Sequence, residues 1–269
     1  MIKIIHLSDL HIGYSDMEER FQVIIKNIIF TKQPASNYVV VITGDLVERA
    51  TSNNYEAAKM CVDELRKAGY TVLPVPGNHD YSNLLFAERK NVKRFKKIFF
   101  NNEQQPYPKL DIIGVAGEQI AFMGLDSMAE EIHWYDSMWA NGELGAGKGQ
   151  QLERLDNMLK QDNVEACKYK VVYLHHHPFE PLYDKHRLKD AEAFCNLLKN
   201  HKIDALLFGH NHHNKKWNGL LGIPRCYDGG TSTRKLNVAC EHRVIDLSRD
   251  PGQDYDGNFF GNYEIRATA

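Results

Sequence analysis

The chain has 269 residues, of which 43% are hydrophobic and 25% are charged, and its formal net charge at pH 7 is −2. This composition supports a globular protein with a large apolar core and excludes a largely disordered chain. Because the net charge is close to zero, it also excludes an overall electrostatic field that would attract nucleic acid or an anionic membrane.

The N-terminal segment MIKIIHLSDLH contains an apolar run that stops at Asp9. This run is too short for a secretory signal or a membrane span, so we interpret it as a first strand. The cysteines are odd in number, five in all, and form no CxxC pair, which favours reduced thiols over a disulfide framework or a zinc knot. We therefore expect a cytoplasmic protein without a membrane anchor.

Short runs rich in β-branched residues alternate with amphipathic stretches along most of the chain. The apolar runs predict strands buried between layers at residues 2–7, 38–43, 71–76, 170–175 and 204–209. Apolar positions at three-to-four spacing predict helices over residues 17–32, 52–68, 83–98, 149–161 and 188–200. Residues 109–125, 215–228 and 241–247 indicate further strands, which favours mixed rather than purely parallel sheets. No linker interrupts the pattern, so residues 1–269 are expected to form one α/β domain.

Each of the five buried runs ends in a cluster of polar residues. The clusters are SDLHIG (8–13), TGDLVE (43–48), PGNHD (76–80), LHHHP (174–178) and GHNHH (209–213). In open α/β sheets, ligands bind where strands end and loops begin. The five clusters are therefore the expected place of the functional site.

These clusters supply carboxylate, amide and imidazole groups that can bind a metal ion. Side chains two residues apart in an extended segment point the same way, so Asp9 and His11 are expected to share an ion, as are His210 and His212. Nitrogen and oxygen donors without thiolates suit manganese, iron, zinc or nickel and argue against a structural zinc site. The donors are too many for one ion, so we expect two ions bridged by a carboxylate.

In chain order, the motifs D-x-H, G-D, G-N-H-D, H and G-H-x-H resemble those of the calcineurin-like metallophosphoesterases, and the resemblance spans residues 5–213. It implies a four-layer α/β/β/α sandwich of two mixed sheets with a dinuclear metal centre. It also implies that one ion is held by Asp9, His11, Asp45 and His212, and the other by Asp45, Asn78, His176 and His210. Asp45 would then bridge the two ions.

Three consecutive histidines at 175–177 compete for one of these ligand positions. In the family the ligand stands two residues before a proline, so Pro178 favours His176. Alternation along the strand would turn His175 and His177 to the opposite face. A shift of one residue would make His175 the ligand instead, and this alternative stays open.

His79 corresponds to the family histidine that faces the substrate phosphate and either donates a proton to the leaving oxygen or stabilises transition-state charge. Asp80 is expected to orient the His79 imidazole. Two metal ions would polarise the phosphoryl group and lower the pKa of a water for in-line attack. The resemblance thus implies hydrolysis of a phosphate ester at one P–O bond.

The segment GDLVE has Glu48 where purple acid phosphatases, another branch of this superfamily, carry a tyrosine ligand. Residues 142–159 are similar to a segment of the class III cyclic-nucleotide phosphodiesterase and glycerophosphodiesterase group. We therefore favour a small phosphodiester, such as a cyclic nucleotide, as the substrate. The alternatives are a phosphomonoesterase or a nuclease on the same centre, and a protein-binding scaffold of the same fold. The intact ligand set argues against the scaffold.

Several other segments are weighed against simpler structural roles. The basic run at 89–97 is the best local argument for a nuclease, but it fits a solvated helix face. The run GELGAGKG (142–149) lacks the hydroxyl residue of a phosphate-binding loop, so we interpret it as a loop before a helix. The aromatic residues of 131–139 suit either a pocket wall or the core, and the turn-rich YDGGTSTRK (227–235) receives no assigned role.

Overall fold

The computed structural model describes residues 3–30, 34–83, 87–115, 117–128, 141–179, 187–233 and 242–256. Its strands, in chain order, are β1 (Lys3–Leu7), β2 (Tyr38–Thr43), β3 (Thr71–Val75), β4 (Lys109–Val115), β5 (Glu118–Gly124), β6 (Tyr169–Tyr173), β7 (Ala205–Phe208), β8 (Lys216–Trp217), β9 (Arg225–Asp228), β10 (Arg243–Asp246) and β11 (Tyr255–Asp256). Its α-helices are α1 (Met17–Ile29), α2 (Ser52–Lys67), α3 (Asn78–Tyr81), α4 (Arg89–Phe100), α5 (Gln151–Leu159), α6 (Asp162–Glu165) and α7 (Ala191–Lys199).

The strands form two mixed sheets. One sheet has the order β11-β10-β1-β2-β3, in which β1, β2 and β3 are parallel and β10 is antiparallel to β1. The other has the order β4-β5-β6-β7-β9-β8, in which β5, β6, β7 and β9 are parallel and both edge strands are antiparallel. The prediction of mixed rather than purely parallel sheets is confirmed.

The two sheets pack face to face. Ile4, Val41 and Val75 of the first sheet belong to one buried cluster with Phe122 and Leu207 of the second. This shared apolar layer explains why the central strands read as continuous β-branched runs, because both of their faces are buried.

Helices cover the outer face of each sheet. Phe21 of α1, Leu65 of α2 and Phe95 of α4 bury their side chains against the first sheet. Leu155 of α5 and Phe194 of α7 do so against the second. The result is the four-layer α/β/β/α sandwich, as predicted.

The amphipathic spacing of the sequence decides where the helices lie. The apolar positions of α5 fall three to four residues apart, so they form one buried stripe while the charged residues face water. The N-terminus of α2 is capped by Thr51, whose Oγ1 accepts the N–H of Asn54 at 3.3 Å.

Among the helices described, none has both the length and the apolar composition that crossing a membrane requires.

The parallel strands set the position of the site. Because parallel strands end at the same edge of their sheet, the loops after β1, β2 and β3 lie side by side. The loops after β6, β7 and β9 do the same in the second sheet. These two sets of loops hold the polar clusters.

Candidate metal centre

The backbone turns sharply where the ligand candidates stand. Asp9, His11, Asp45, His210 and His212 all adopt left-handed conformations, with φ of 52°, 46°, 51°, 74° and 55°. Such conformations cost of order 1–3 kcal/mol each in a residue other than glycine, and they concentrate at functional sites. The side chains therefore converge through these turns, which corrects the expectation that the alternation of an extended strand would bring them together.

The loops after β1 and β2 support each other by backbone hydrogen bonds. The N–H of Asp9 donates to the carbonyl oxygen of Gly44 at 3.1 Å, and that of His11 donates to Asp45 at 3.0 Å. Gly44 has φ of 90°, and a Cβ built on it would lie 2.5 Å from Nδ1 of His175. Only glycine satisfies both demands, so the G-D pair has a steric origin.

A first group of donors consists of Asp9, His11 and His212, whose ligand atoms all lie within 4.8 Å of one another. Nε2 of His212 is 3.2 Å from Oδ1 of Asp9 and 3.2 Å from Nε2 of His11. Asp9 and His11 are buried, whereas the side chain of His212 is 48% exposed. The group is therefore open to solvent on one side.

A second group consists of Asp45, His175 and His210. Nε2 of His175 lies 3.1 Å from Nδ1 of His210, 3.1 Å from Oδ1 of Asn78 and 3.4 Å from Oδ2 of Asp45. Oδ2 of Asp45 is also 3.9 Å from Nε2 of His11, which belongs to the first group. Asp45 thus stands between the two groups.

The three consecutive histidines, 175–177, each contact different neighbours. Nδ1 of His175 donates to the carbonyl oxygen of Thr43 at 2.8 Å, which directs Nε2 towards the second group. Nδ1 of His176 is hydrogen-bonded to Oγ of Ser127 at 2.7 Å. The ring of His177 packs edge-on against apolar aromatic rings, with its centroid 4.6 Å from that of Phe208.

These contacts favour His175 over His176 as the histidine that faces the second group. Strand β6 ends at Tyr173, so strict alternation does not extend to the histidines that follow. His175 is the residue that the fold brings to Asp45 and His210. The alternative that the sequence left open is the one that the geometry favours.

His79 lies beside the carboxylate of Asp45. Its backbone N–H donates to Oδ1 of Asp45 at 2.9 Å, and its Nδ1 donates to the carbonyl oxygen of Glu48 at 2.8 Å. Burial lowers the pKa of His79, but Asp45 and Glu48 outweigh it and raise the pKa above its ordinary value. The side chain is 35% exposed, so the ring reaches solvent.

Asp80 has a different role from the predicted one. Its carboxylate accepts the backbone N–H groups of Gly77 at 2.8 Å, Val47 at 3.1 Å and Leu46 at 3.2 Å. Burial raises the pKa of this carboxyl to about 7. Asp80 joins the loop after β2 to the loop after β3, which corrects the expectation that it orients the His79 ring.

Glu48 is a site residue that the sequence reasoning missed. Its Oε2 accepts a hydrogen bond from Nδ1 of His11 at 2.9 Å and lies 3.7 Å from Nδ1 of His79. Carboxylates in this position fix the tautomer of a ligating histidine, so that Nε2 faces the ion. The segment GDLVE, which places Glu48 three residues after Asp45, carries the sequence signal for this position.

The donor set fits a pair of metal ions. Asp9 and Asp45 are 0% and 2% exposed, and two buried carboxylates require compensating positive charge. Burial lowers the pKa of His175, but the Asp45 carboxylate outweighs this effect and raises it to about 9, so without an ion a proton compensates. Binding of a metal would displace that proton, as is usual for histidine ligands.

Two of the remaining sequence signals fall on described elements apart from the two donor groups. The basic run at 89–97 lies in α4, which buries Phe95 and Phe99 and exposes Lys93 and Lys97. Residues 141–150 form the expected loop before α5. Residues 131–139 lie outside the described residues, as do 234–241 and 257–269.

Known proteins resemble this chain over most of its length. A probable cyclic nucleotide phosphodiesterase of Xenorhabdus bovienii is 21% identical over 270 residues, which cover 93% of this chain and 97% of that protein. A 3′,5′-cyclic adenosine monophosphate phosphodiesterase of Vibrio vulnificus is 25% identical over 227 residues, which cover 78% of this chain and 70% of that protein.

A solved structure, a dimetal phosphatase from Danio rerio, superposes with a TM-score of 0.64 at 13% identity, covering 95% of this chain and 98% of that one. This likeness supports the fold alone. The sequence profile of the calcineurin-like phosphoesterases matches residues 2–214, which contain every ligand candidate named above. The chain therefore belongs to the calcineurin-like phosphoesterase family, whose dinuclear metal dependence its convergent donors fit, and it is a hydrolase of phosphoric esters.

Proposed function

We propose that the protein is a phosphodiesterase with two metal ions in its active site. The observation that carries the proposal is the position of Asp45, which lies within 4.8 Å of histidine nitrogens on both sides. In this assignment Asp9, His11, Asp45 and His212 hold one ion, and Asp45, Asn78, His175 and His210 hold the other. The donor set suits manganese, iron, zinc or nickel. When bound, such ions polarise a phosphoryl group and lower the pKa of a water so that it attacks phosphorus.

His79 is the proposed proton donor. Its Nδ1 is held by the carbonyl oxygen of Glu48, so Nε2 is the nitrogen left to face a substrate. The raised pKa of His79 favours the protonated ring, which can give a proton to the leaving oxygen as the P–O bond breaks. The same ring could instead stabilise the developing charge, and both roles need Nε2 within hydrogen-bonding distance of the phosphate.

The proposed substrate is a small phosphodiester, with 3′,5′-cyclic nucleotides as the first candidates. Two relatives that cover most of this chain are named cyclic nucleotide phosphodiesterases, and one of them is named for cyclic adenosine monophosphate. The free thiols of Cys61, Cys167, Cys195 and Cys226 support a reducing, cytoplasmic location.

The test begins with metal-free protein to which Mn²⁺ is returned. We expect about two ions per chain and hydrolysis of bis(p-nitrophenyl) phosphate and cyclic AMP, each faster than p-nitrophenyl phosphate or single-stranded DNA. Asp45→Ala should lose the bridging ligand and at least about 1,000-fold in kcat/KM, because metal stabilisation of the transition state amounts to several kcal/mol. Asp162→Ala, an exposed aspartate at the start of α6, is the matched control and should behave as the wild type.

Two outcomes would redirect the assignment. Faster turnover of the monoester or of DNA would replace the phosphodiesterase with the phosphomonoesterase or the nuclease on the same centre. A wild type that binds no metal and stays inactive with Mn²⁺ would contradict the enzyme and favour the protein-binding scaffold.

A further inference from the structure

A segment beyond the family match lies directly against the first metal loop. Residues 229–233 follow β9, whereas the match to the family ends at residue 214. The N–H of Ser8 donates to Oγ of Ser232 at 3.0 Å, and the N–H of Ser232 donates to the carbonyl oxygen of Ser8 at 2.9 Å. Oγ of Thr233 donates to the carbonyl oxygen of Leu10 at 2.8 Å. The segment thus holds the backbone on both sides of Asp9.

Ser8 in turn fixes the orientation of the Asp9 carboxylate. Its Oγ donates to Oδ2 of Asp9 at 2.5 Å, and the backbone N–H of His210 donates to the same oxygen at 3.2 Å. The other oxygen, Oδ1, faces Nε2 of His212 at 3.2 Å. With Oδ2 engaged by two donors, Oδ1 is the oxygen that points into the first group of ligands.

The surroundings leave Ser8 no freedom to move. Ser8 and Ser232 are completely buried. A Cβ built on Gly209 would lie 1.9 Å from Oγ of Ser8, and one built on Gly229 would lie 2.8 Å from its Cβ. Two glycines therefore make room for the Ser8 side chain, Gly209 beside its hydroxyl and Gly229 beside its Cβ.

We propose that Ser8 and Ser232 are positioning residues for the ion that Asp9 and His11 hold. Ser8 sets the rotation of the Asp9 carboxylate, and Ser232 holds the Ser8 backbone in register with the loop. The inference rests on the proposed two-metal centre and deepens it. It gives a function to residues 229–233 (GGTST), which lie outside the ligand motifs.

The test compares the binding of Mn²⁺ to metal-free wild type, Ser8→Ala and Ser232→Ala by calorimetry. Loss of an outer-sphere partner usually costs about 10- to 100-fold in metal affinity. We expect Ser8→Ala to weaken one of the two ions by this factor and to leave the other unchanged. At limiting Mn²⁺, the electron paramagnetic resonance spectrum of the wild type should be that of an exchange-coupled manganese pair. The spectrum of Ser8→Ala should be that of a single, uncoupled manganese ion. Ser232→Ala should weaken the same ion by a smaller factor, because the Ser8 hydroxyl remains.

Ser248→Ala is the matched control. Oγ of Ser248 donates to Oδ1 of Asp246 at 2.6 Å, and Asp246 pairs with Lys3 at the far end of β1 from the site. This variant loses the same kind of hydroxyl–carboxylate bond and should bind both ions as the wild type does. Circular dichroism of each metal-free protein monitors folding, and Ser232→Ala alone decides the test if Ser8→Ala does not fold.

The possible failures are distinguishable. A wild type that binds fewer than two ions would contradict the proposed centre itself. A wild type with two ions, together with serine variants that bind both of them normally, would contradict the positioning role alone. Equal weakening of both ions would also overturn the proposal, because it would indicate a general loss of stability.

Discussion

Asp45 is the residue that connects the parts of the site. One of its oxygens accepts the backbone N–H of His79, and the other faces His175 at 3.4 Å and His11 at 3.9 Å. Burial opposes the charge of Asp45, but the surrounding histidines, His175 first, lower its pKa well below the usual range. The carboxylate is therefore ionised before any ion arrives, and it presents charge to both halves of the centre.

Substituting His175 and His176 in turn distinguishes a metal ligand from a residue that only supports the ligands. We expect His175→Asn to lose one of two Mn²⁺ ions, because Nε2 of His175 faces Asp45 and His210. Its affinity loss should exceed the roughly 10- to 100-fold of an outer-sphere change. His176→Asn should keep both ions with at most that smaller loss, since its Nδ1 contacts Ser127. Metal titration measures both, and the opposite ranking would restore His176 as the ligand.

At the scale of elements, the loops after the strands are held by close contacts that glycine permits. Gly142 lies near the start of the loop before α5, and a Cβ built on it would lie 2.5 Å from the His176 ring and 2.8 Å from the carbonyl oxygen of Ser127. Gln151, the first residue of α5, donates to the carbonyl oxygen of Asp126 at 2.7 Å. The segment that resembled the class III group therefore packs behind the metal centre.

Gly142→Ala is expected to destabilise the fold by about 1–3 kcal/mol, the usual cost of an added methyl group in a packed region. The added methyl group would meet Cγ and Nδ1 of the His176 ring and the backbone carbonyl oxygen of Ser127, and these atoms cannot rotate away. Urea denaturation of the metal-free protein measures the change. Gly114→Ala in β4 is the control, because its Cβ would have no neighbour closer than 3.8 Å. Equal stabilities of the two variants would contradict the close packing of Gly142.

The sequence predicted the elements better than the turns between them. Periodicity located β1, β2 and α2 within one or two residues, because burial on defined faces leaves a regular pattern. Helix α4 begins at Arg89, six residues after the predicted start, because no periodic signal marks its first turn. Motifs identified the ligand clusters, but periodicity carries no information on left-handed turns. The choice of His175 and the amide contacts of Asp80 follow from tertiary contacts that no local pattern contains.

At the scale of the whole molecule, buried polar groups tie the two sheets together. Nε of Arg225 in β9 donates to Oδ2 of Asp254 at 2.6 Å, and Tyr227 donates to the same oxygen at 2.9 Å. Asp254 accepts the N–H of Asp246 in β10 through its other oxygen at 3.1 Å. Because removal of one partner would leave a buried charge uncompensated, this network fixes how the second sheet sits against the first.

The buried side chain of His242 makes the stability of the molecule sensitive to acid. His242, beside β10, is 4% exposed, and burial lowers its pKa to about 4 from the ordinary value of 6.5. Between these two values the unfolded chain binds a proton that the folded chain does not, so stability falls as the pH falls from 6.5 towards 4. One pKa unit corresponds to about 1.4 kcal/mol, so His242 should account for about 2 kcal/mol of the stability lost between pH 7.5 and pH 5.

His242→Gln removes this titrating group, and its stability should fall by about 2 kcal/mol less than that of the wild type over the same interval. Urea denaturation at pH 7.5 and pH 5, with EDTA present so that metal release does not contribute, measures the difference. His213→Gln replaces an exposed histidine and should follow the wild type. If His242→Gln and the wild type lost equal stability on acidification, another group would have to carry the acid sensitivity. His6 in β1 would then be the group to substitute next, since burial and the nearby Arg243 also lower its pKa.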